Sequence, residues 1–245
     1  MTPDGSRFRL PVGATLADAF RLYRLLFARS VFVAAIVYAV IALAEVAHRN
    51  ATGAGASLLA LAISLLTLAG PALVQGALVE VVRNVHEGRR PDPVTALFGK
   101  ARDRILPLIG ASFVYALGVL AGLVLFIVPG ILALTRWSLM APVVVLERRR
   151  IQDARRRSSA LVVGNGPAVF TCLLVAFLLI DVVSLGLVLG RLGFGARTFG
   201  TFLWSSLTAP FAAHVLTALY YRLSDSERPV VHPAVRTWSS LWDGR

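Results

Sequence analysis

The chain has 245 residues, of which 57% are hydrophobic and only 16% charged, with a mean hydropathy of +0.73. Soluble domains carry about a quarter charged residues, so this composition excludes an ordinary water-soluble fold. The formal net charge of +12 would suggest nucleic acid in a soluble protein, but here the basic residues fall between apolar runs, and the positive-inside rule accounts for them without a nucleic-acid partner.

A helix needs roughly 20 apolar residues to cross a bilayer. Runs near that length occur at Val31–Ala47, Ser57–Val82, Ile105–Val128, Ile131–Leu146, Ala168–Gly190 and Phe199–Tyr221. The fold class is therefore all-α integral membrane, with six transmembrane helices in a single domain spanning 1–245. Thirty residues precede the first run, which is long for the n-region of a cleaved signal peptide. Val128, Pro129 and Gly130 suit a tight turn between the third and fourth spans. Cys172 is the only cysteine, so no disulfide forms within the chain.

Arginine and lysine set the orientation. Alternate segments between the runs hold 5, 6, 6 and 4 basic residues against 1, 0 and 2 in the others, and Arg136 lies within a run. A bias of 21 to 3 places the basic segments and both termini on the cytoplasmic side, here of a bacterial plasma (inner) membrane crossed several times.

Each even-numbered run carries a proline after a small residue: Gly70-Pro71, Ala141-Pro142 and Ala209-Pro210, spaced 71 and 68 residues apart. A basic, partly amphipathic segment precedes each hairpin, at Ala14–Arg29, Pro93–Arg104 and Ile151–Leu161. Such segments lie in the headgroup layer. In the first, Leu16, Ala19, Phe20, Tyr23 and Phe27 recur at helical spacing, with Asp18, Arg21 and Arg24 away from most of that stripe. The spans therefore read as three parallel repeats of interfacial segment plus hairpin, over 14–83, 93–147 and 151–222. Three kinking prolines aligned by chance would give the same pattern.

An ionisable residue inside a membrane is costly unless paired. Arg136 and Asp181 lie at similar depths on consecutive antiparallel spans, roughly 8–14 Å below the outer boundary at about 1.5 Å per residue. Two readings of the pair stand: a polar cavity or headgroup site in the outer leaflet, or a buried ion pair that fixes helix packing, with an outward-reaching arginine beside Trp137 as a variant. Gln75 and His214 sit four residues after Pro71 and Pro210, where they can bond carbonyls freed by a kink. Glu80 and Glu147 stand near arginines, which reads as interfacial ion pairing. Gly118 and Gly122, like Gly186 and Gly190, have the spacing of close helix contacts. The scattered histidines have no metal-ligand spacing, so no metal, no cofactor and no catalytic residue is expected. The arginine cluster within Glu147–Arg157 sets topology and offers a surface to anionic lipid headgroups.

Several stretches together resemble a known family. They are Thr15–Arg24, Val128–Trp137 followed by Ala141–Glu147, Ser158–Leu161 with Gly164-Asn165-Gly166, and Leu219–Leu223. They are similar to the membrane domain attached to some bacterial glycerophosphoryl diester phosphodiesterases and to the related YciC-like membrane proteins. The resemblance runs from about Thr15 to Leu223. It implies a six-helix membrane unit without the soluble catalytic barrel of that family. The function expected is a non-catalytic module that binds lipid or a membrane protein partner. The alternative is a transporter of a small solute or lipid.

Overall fold

The computed structural model describes residues 8–88, 99, 105–190 and 193–227, with backbone alone at positions 54, 68, 105, 179–181 and 188. Every regular element among them is an α-helix. In chain order these are α1 (Val12–Leu25), α2 (Phe27–Arg49), α3 (Gly53–His86), α4 (Ile105–Leu125), α5 (Ile127–Trp137), α6 (Met140–Leu146), α7 (Ile151–Val162), α8 (Gly166–Leu189) and α9 (Phe194–Ser226). Six segments are long and apolar enough to cross a membrane: Phe27–Arg49, Gly55–His86, Leu106–Leu125, Ile127–Leu146, Gly166–Leu187 and Phe194–Ser226. These match the six apolar runs of the sequence. Of the expected interfacial segments, the first and third are α1 and α7, while Pro93–Arg104 lies outside the described residues apart from residue 99.

Two spans are much longer than a bilayer requires. α3 has 34 residues and α9 has 33, about 50 Å each at 1.5 Å per residue, against a hydrocarbon core of about 30 Å. Their C-terminal turns meet α1, α6 and α7 at one end of the bundle, where Asp18 pairs with Arg222, Glu147 with Arg157, and His86 with Tyr221. This is called the basic end. The main apolar core lies there, with Val79, Val82, Val143, Val144, Val215 and Leu219 fully buried. At the opposite end the large apolar side chains of α3 and α9 point outward, among them Leu58, Leu61, Leu65 and Phe199.

The turn between the third and fourth spans falls at Phe126, whose backbone is extended (φ −161°, ψ 148°), and not at Val128–Gly130. Pro129 sits in the first turn of α5, where a helix has no internal partner for a proline N–H to miss. The glycines that follow serve close approach. A methyl on Gly122 would lie 2.7 Å from the Gly130 Cα, and one on Gly118 would run into the Trp137 ring. Gly118 and Gly122 thus pack α4 on α5 within the chain, whereas a methyl on Gly186 would meet nothing within 4 Å.

The fourth span is broken into α5 and α6 at Ser138 and Leu139. Pro142 has no N–H for the Ser138 carbonyl, and its ring crowds that turn. Other backbone groups at the break are met by side-chain hydroxyls. The Ser158 hydroxyl on α7 donates to the Arg136 carbonyl at 2.7 Å and accepts from the Leu139 N–H at 3.1 Å. The Ser138 hydroxyl donates to the Thr135 carbonyl at 2.9 Å. Ser158 is fully buried and acts as a splint across the break. α3 and α9, by contrast, remain single helices through Pro71 and Pro210.

Candidate functional site

A cavity of about 300 Å³ lies among the spans. One residue of each proline pair lines it: Pro71, Ala141 and Ala209. The break in the fourth span contributes Trp137, Ser138 and Met140. Helix geometry explains this convergence. Small residues and prolines leave side-chain volume missing on one face, and each such face turns to the same interior space. The rest of the wall is mostly apolar, with Val74, Leu173, Phe177 and Leu216 among its members.

The polar part of the wall includes Gln75 and the phenols Tyr38 and Tyr115. Among the described residues no charged side chain lines the cavity, and these three side chains make no hydrogen bond to another described residue. Tyr38 is the midpoint of α2 and Tyr115 the midpoint of α4. The cavity is therefore roughly 15 Å along each helix from either end, at about 1.5 Å per residue.

The other expected site residues are placed as follows. His214 is fully buried but is not part of the cavity wall. Its Nε2 lies 3.1 Å from the Ser30 hydroxyl on α2, which joins α9 to α2. Gln75 and His214 thus occupy different surroundings despite matching positions after their prolines. Arg136 is exposed on α5, and its carbonyl accepts the Ser158 hydroxyl. Asp181 is in α8, one turn beyond Phe177, and its side chain lies outside the described residues. The expected Arg136–Asp181 pairing falls outside them too. Trp137 carries the Arg155 guanidinium 5.3 Å from its ring centroid, a cation–π contact between the cavity wall and α7.

The basic end holds two ionic clusters that sequence spacing showed only in part. Glu147 accepts from Arg149 Nε at 2.6 Å, from Arg157 Nε at 3.0 Å and from the Tyr220 hydroxyl at 3.1 Å. Arg157 also pairs with Glu227 at 2.7 Å. Burial works to raise the Glu147 carboxyl, but the bonds from Arg157, Arg149 and Tyr220 outweigh it and hold its pKa below the usual carboxylate value. In the second cluster Asp18, almost fully buried, takes the Arg222 guanidinium through Nε at 3.0 Å and through Nη2, with Arg21 at 4.0 Å. Asp18 thus faces inward, on the side of α1 that buries Thr15, Ala19 and Leu22, while Phe20 and Phe27 are exposed. Helical spacing marks faces, but in a membrane the apolar face can be the outer one. Glu80 pairs with Arg83 at 3.5 Å, as their spacing suggested.

Beside these pairs Arg148, Arg150 and Arg156 are exposed. Arg148 has φ 55°. It follows the C-cap Glu147 of α6, the position that helices commonly fill with glycine because a side chain there is strained. No group of three or more histidine, cysteine or acidic residues is placed to hold a metal among the described residues.

No protein-family model matches the chain, and neither a curated protein nor a solved structure is significantly similar to it. The site is therefore read from its own chemistry.

Proposed function

We propose that this chain is a non-catalytic module of a bacterial inner membrane that binds a membrane lipid in its central cavity. Both termini face the cytoplasm, and anionic headgroups rest against the basic end. The observation that carries this reading is the cavity. It is of ligand size, largely apolar, and walled by one residue of each proline pair and by the broken fourth span. That shared wall also supports a threefold repeat of interfacial segment plus hairpin, and with it a kinship to the membrane domains of the glycerophosphodiester phosphodiesterases. Arg148, Arg150 and Arg156 supply exposed positive charge beside α7. The strained backbone of Arg148, where glycine would be unstrained, supports a use for its side chain.

The test is mass spectrometry of lipids retained through purification, comparing the native chain with Ala141→Phe, which fills the cavity. The native protein should retain a stoichiometric lipid, and Ala141→Phe should lose it while keeping its helical circular dichroism. Equal retention by both would remove the cavity as the site. A second reading, transport of a small solute or lipid, is favoured by the broken span, since discontinuous helices line many transporter sites. Uptake into vesicles, or lipid movement between leaflets, that fails in Ala141→Phe would establish it.

A further inference from the structure

We infer that the cavity selects an uncharged amphiphile of the acylglycerol class, a glycerol ester without a charged headgroup, with Gln75, Tyr38 and Tyr115 as its hydrogen-bonding residues. This rests on the lipid reading of the cavity. Three observations support it.

The first is depth. Both tyrosines are at the midpoints of their helices, about 15 Å from either end along the helix. A charge carried to the bilayer midplane is costly unless something there neutralises it. The second is the wall. No described wall residue carries a charge, so a phosphate or ammonium group would lose its water and meet no counter-charge among the described residues. The ionic groups of the basic end belong to α1, the C-cap of α6 and the residues after it, α7, and the C-terminal parts of α3 and α9, and none of them lines the cavity.

The third is the polar inventory. A glutamine amide both donates and accepts, and a phenol does the same. Gln75, Tyr38 and Tyr115 have no partner among the described residues. Together they offer donors for ester carbonyls and an acceptor for a free hydroxyl. Val74, Met140, Leu173, Phe177 and Leu216 supply the apolar surface for the acyl chains. An alkane would leave the amide and phenols unmatched, and a sugar would leave the apolar wall unmatched. An acylglycerol matches both.

The experiment is calorimetric titration of the full chain in detergent with three dioctanoyl lipids of identical chains: the glycerol, the phosphatidic acid and a trimethylammonium analogue. The neutral lipid should bind saturably and at least about ten-fold tighter than either charged one, a difference of roughly 1.4 kcal/mol. Tyr115→Phe and Gln75→Leu should each weaken it by roughly 2–12-fold, the range for one neutral hydrogen bond. Tyr115→Phe removes a single oxygen and keeps the test open should Gln75→Leu fail to fold. Tighter or equal binding of the phosphatidic acid overturns the inference and leaves the lipid-binding reading intact. Preference for the cationic lipid overturns it as well and assigns a carboxylate to the site, with Asp181 the nearest in sequence to the wall. Well-folded variants with unchanged affinity remove the named residues as the binding groups. No saturable binding of any of the three sinks this inference and the reading beneath it together.

Discussion

The two halves of α3 are both rich in large apolar residues and opposite in surroundings. Leu58, Leu61 and Leu65 are more than half exposed, whereas Val74, Ala77, Leu78, Val79, Val81 and Val82 are at most 2% exposed. α9 repeats the contrast, with Phe199, Leu203 and Leu207 turned outward and Val215, Ala218 and Leu219 fully buried. In one half apolar side chains face the membrane's hydrocarbon, and in the other they face protein. Hydropathy registers both in the same way, so a long apolar run does not reveal where a span leaves the lipid and enters a core. Polar residues mark the change. At the basic end Asp18, Asn84, Ser158 and Ser224 are buried, and there packing and pairing hold the fold.

The largest difference between the halves should appear on truncating leucines. Leu219→Ala opens a cavity in a filled core and should cost about 3 kcal/mol. Leu61→Ala exchanges one lipid-facing side chain for another and should stay within about 0.5 kcal/mol. Denaturation in mixed micelles measures both, and equal losses would dissolve the contrast. Next comes Asp18→Ala, which strands Arg222 beside an apolar core. A loss of about 2 kcal/mol is expected, below the full value for a buried pair because Arg222 retains some access to solvent. Thermal unfolding of the single variant and of Asp18→Ala/Arg222→Met checks this, and the double variant should regain part of the loss.

The two glycine pairs sharpen the comparison further. Gly122→Ala sets a methyl against the Gly130 backbone, which cannot rotate away, and should cost about 1–2 kcal/mol. Gly186→Ala meets open space and should be neutral or slightly stabilising, since alanine is the better helix former. A reversed order would show that the second pair, and not the first, makes a close helix contact. The smallest effect is electrostatic. Glu147 has a folded pKa below its unfolded value of about 4.3. Its contribution is complete above that unfolded value and is lost as the pH falls through the lower folded one. Stability should therefore drop on acidification below about pH 4, by on the order of 1 kcal/mol for a partly exposed, screened cluster. Glu147→Gln should lack that portion of the acid transition.

The spans were legible in the sequence because twenty apolar residues have few other uses, and the proline pairs were legible because their spacing repeats. The position of the third turn was not. Proline and glycine mark turns and also first helical turns, and at Pro129 the second use holds. Asp18 was hidden for a related reason. Its partner is 204 residues away at Arg222, and local periodicity carries no trace of so distant a charge. The cavity was half visible. The prolines pointed to kinks, yet the convergence of Pro71, Ala141 and Ala209 on one space depends on how the spans pack. Gln75 and His214 look equivalent along the chain, and only the neighbouring helices separate a wall residue from a cross-link to Ser30.

The splint at Ser158 has a consequence for how the chain is made. The carbonyl of Arg136 and the hydroxyl that bonds it are 22 residues apart, so the fourth span enters the membrane ahead of the group that completes its backbone bonding. A bare carbonyl and N–H in hydrocarbon are costly. The fourth span therefore has reason to linger where water or headgroups can reach residues 136–139, and to settle only once α7 arrives. Assembly of this membrane domain is in that respect ordered, with the docking of a short basic helix acting as the step that lets the fourth span close.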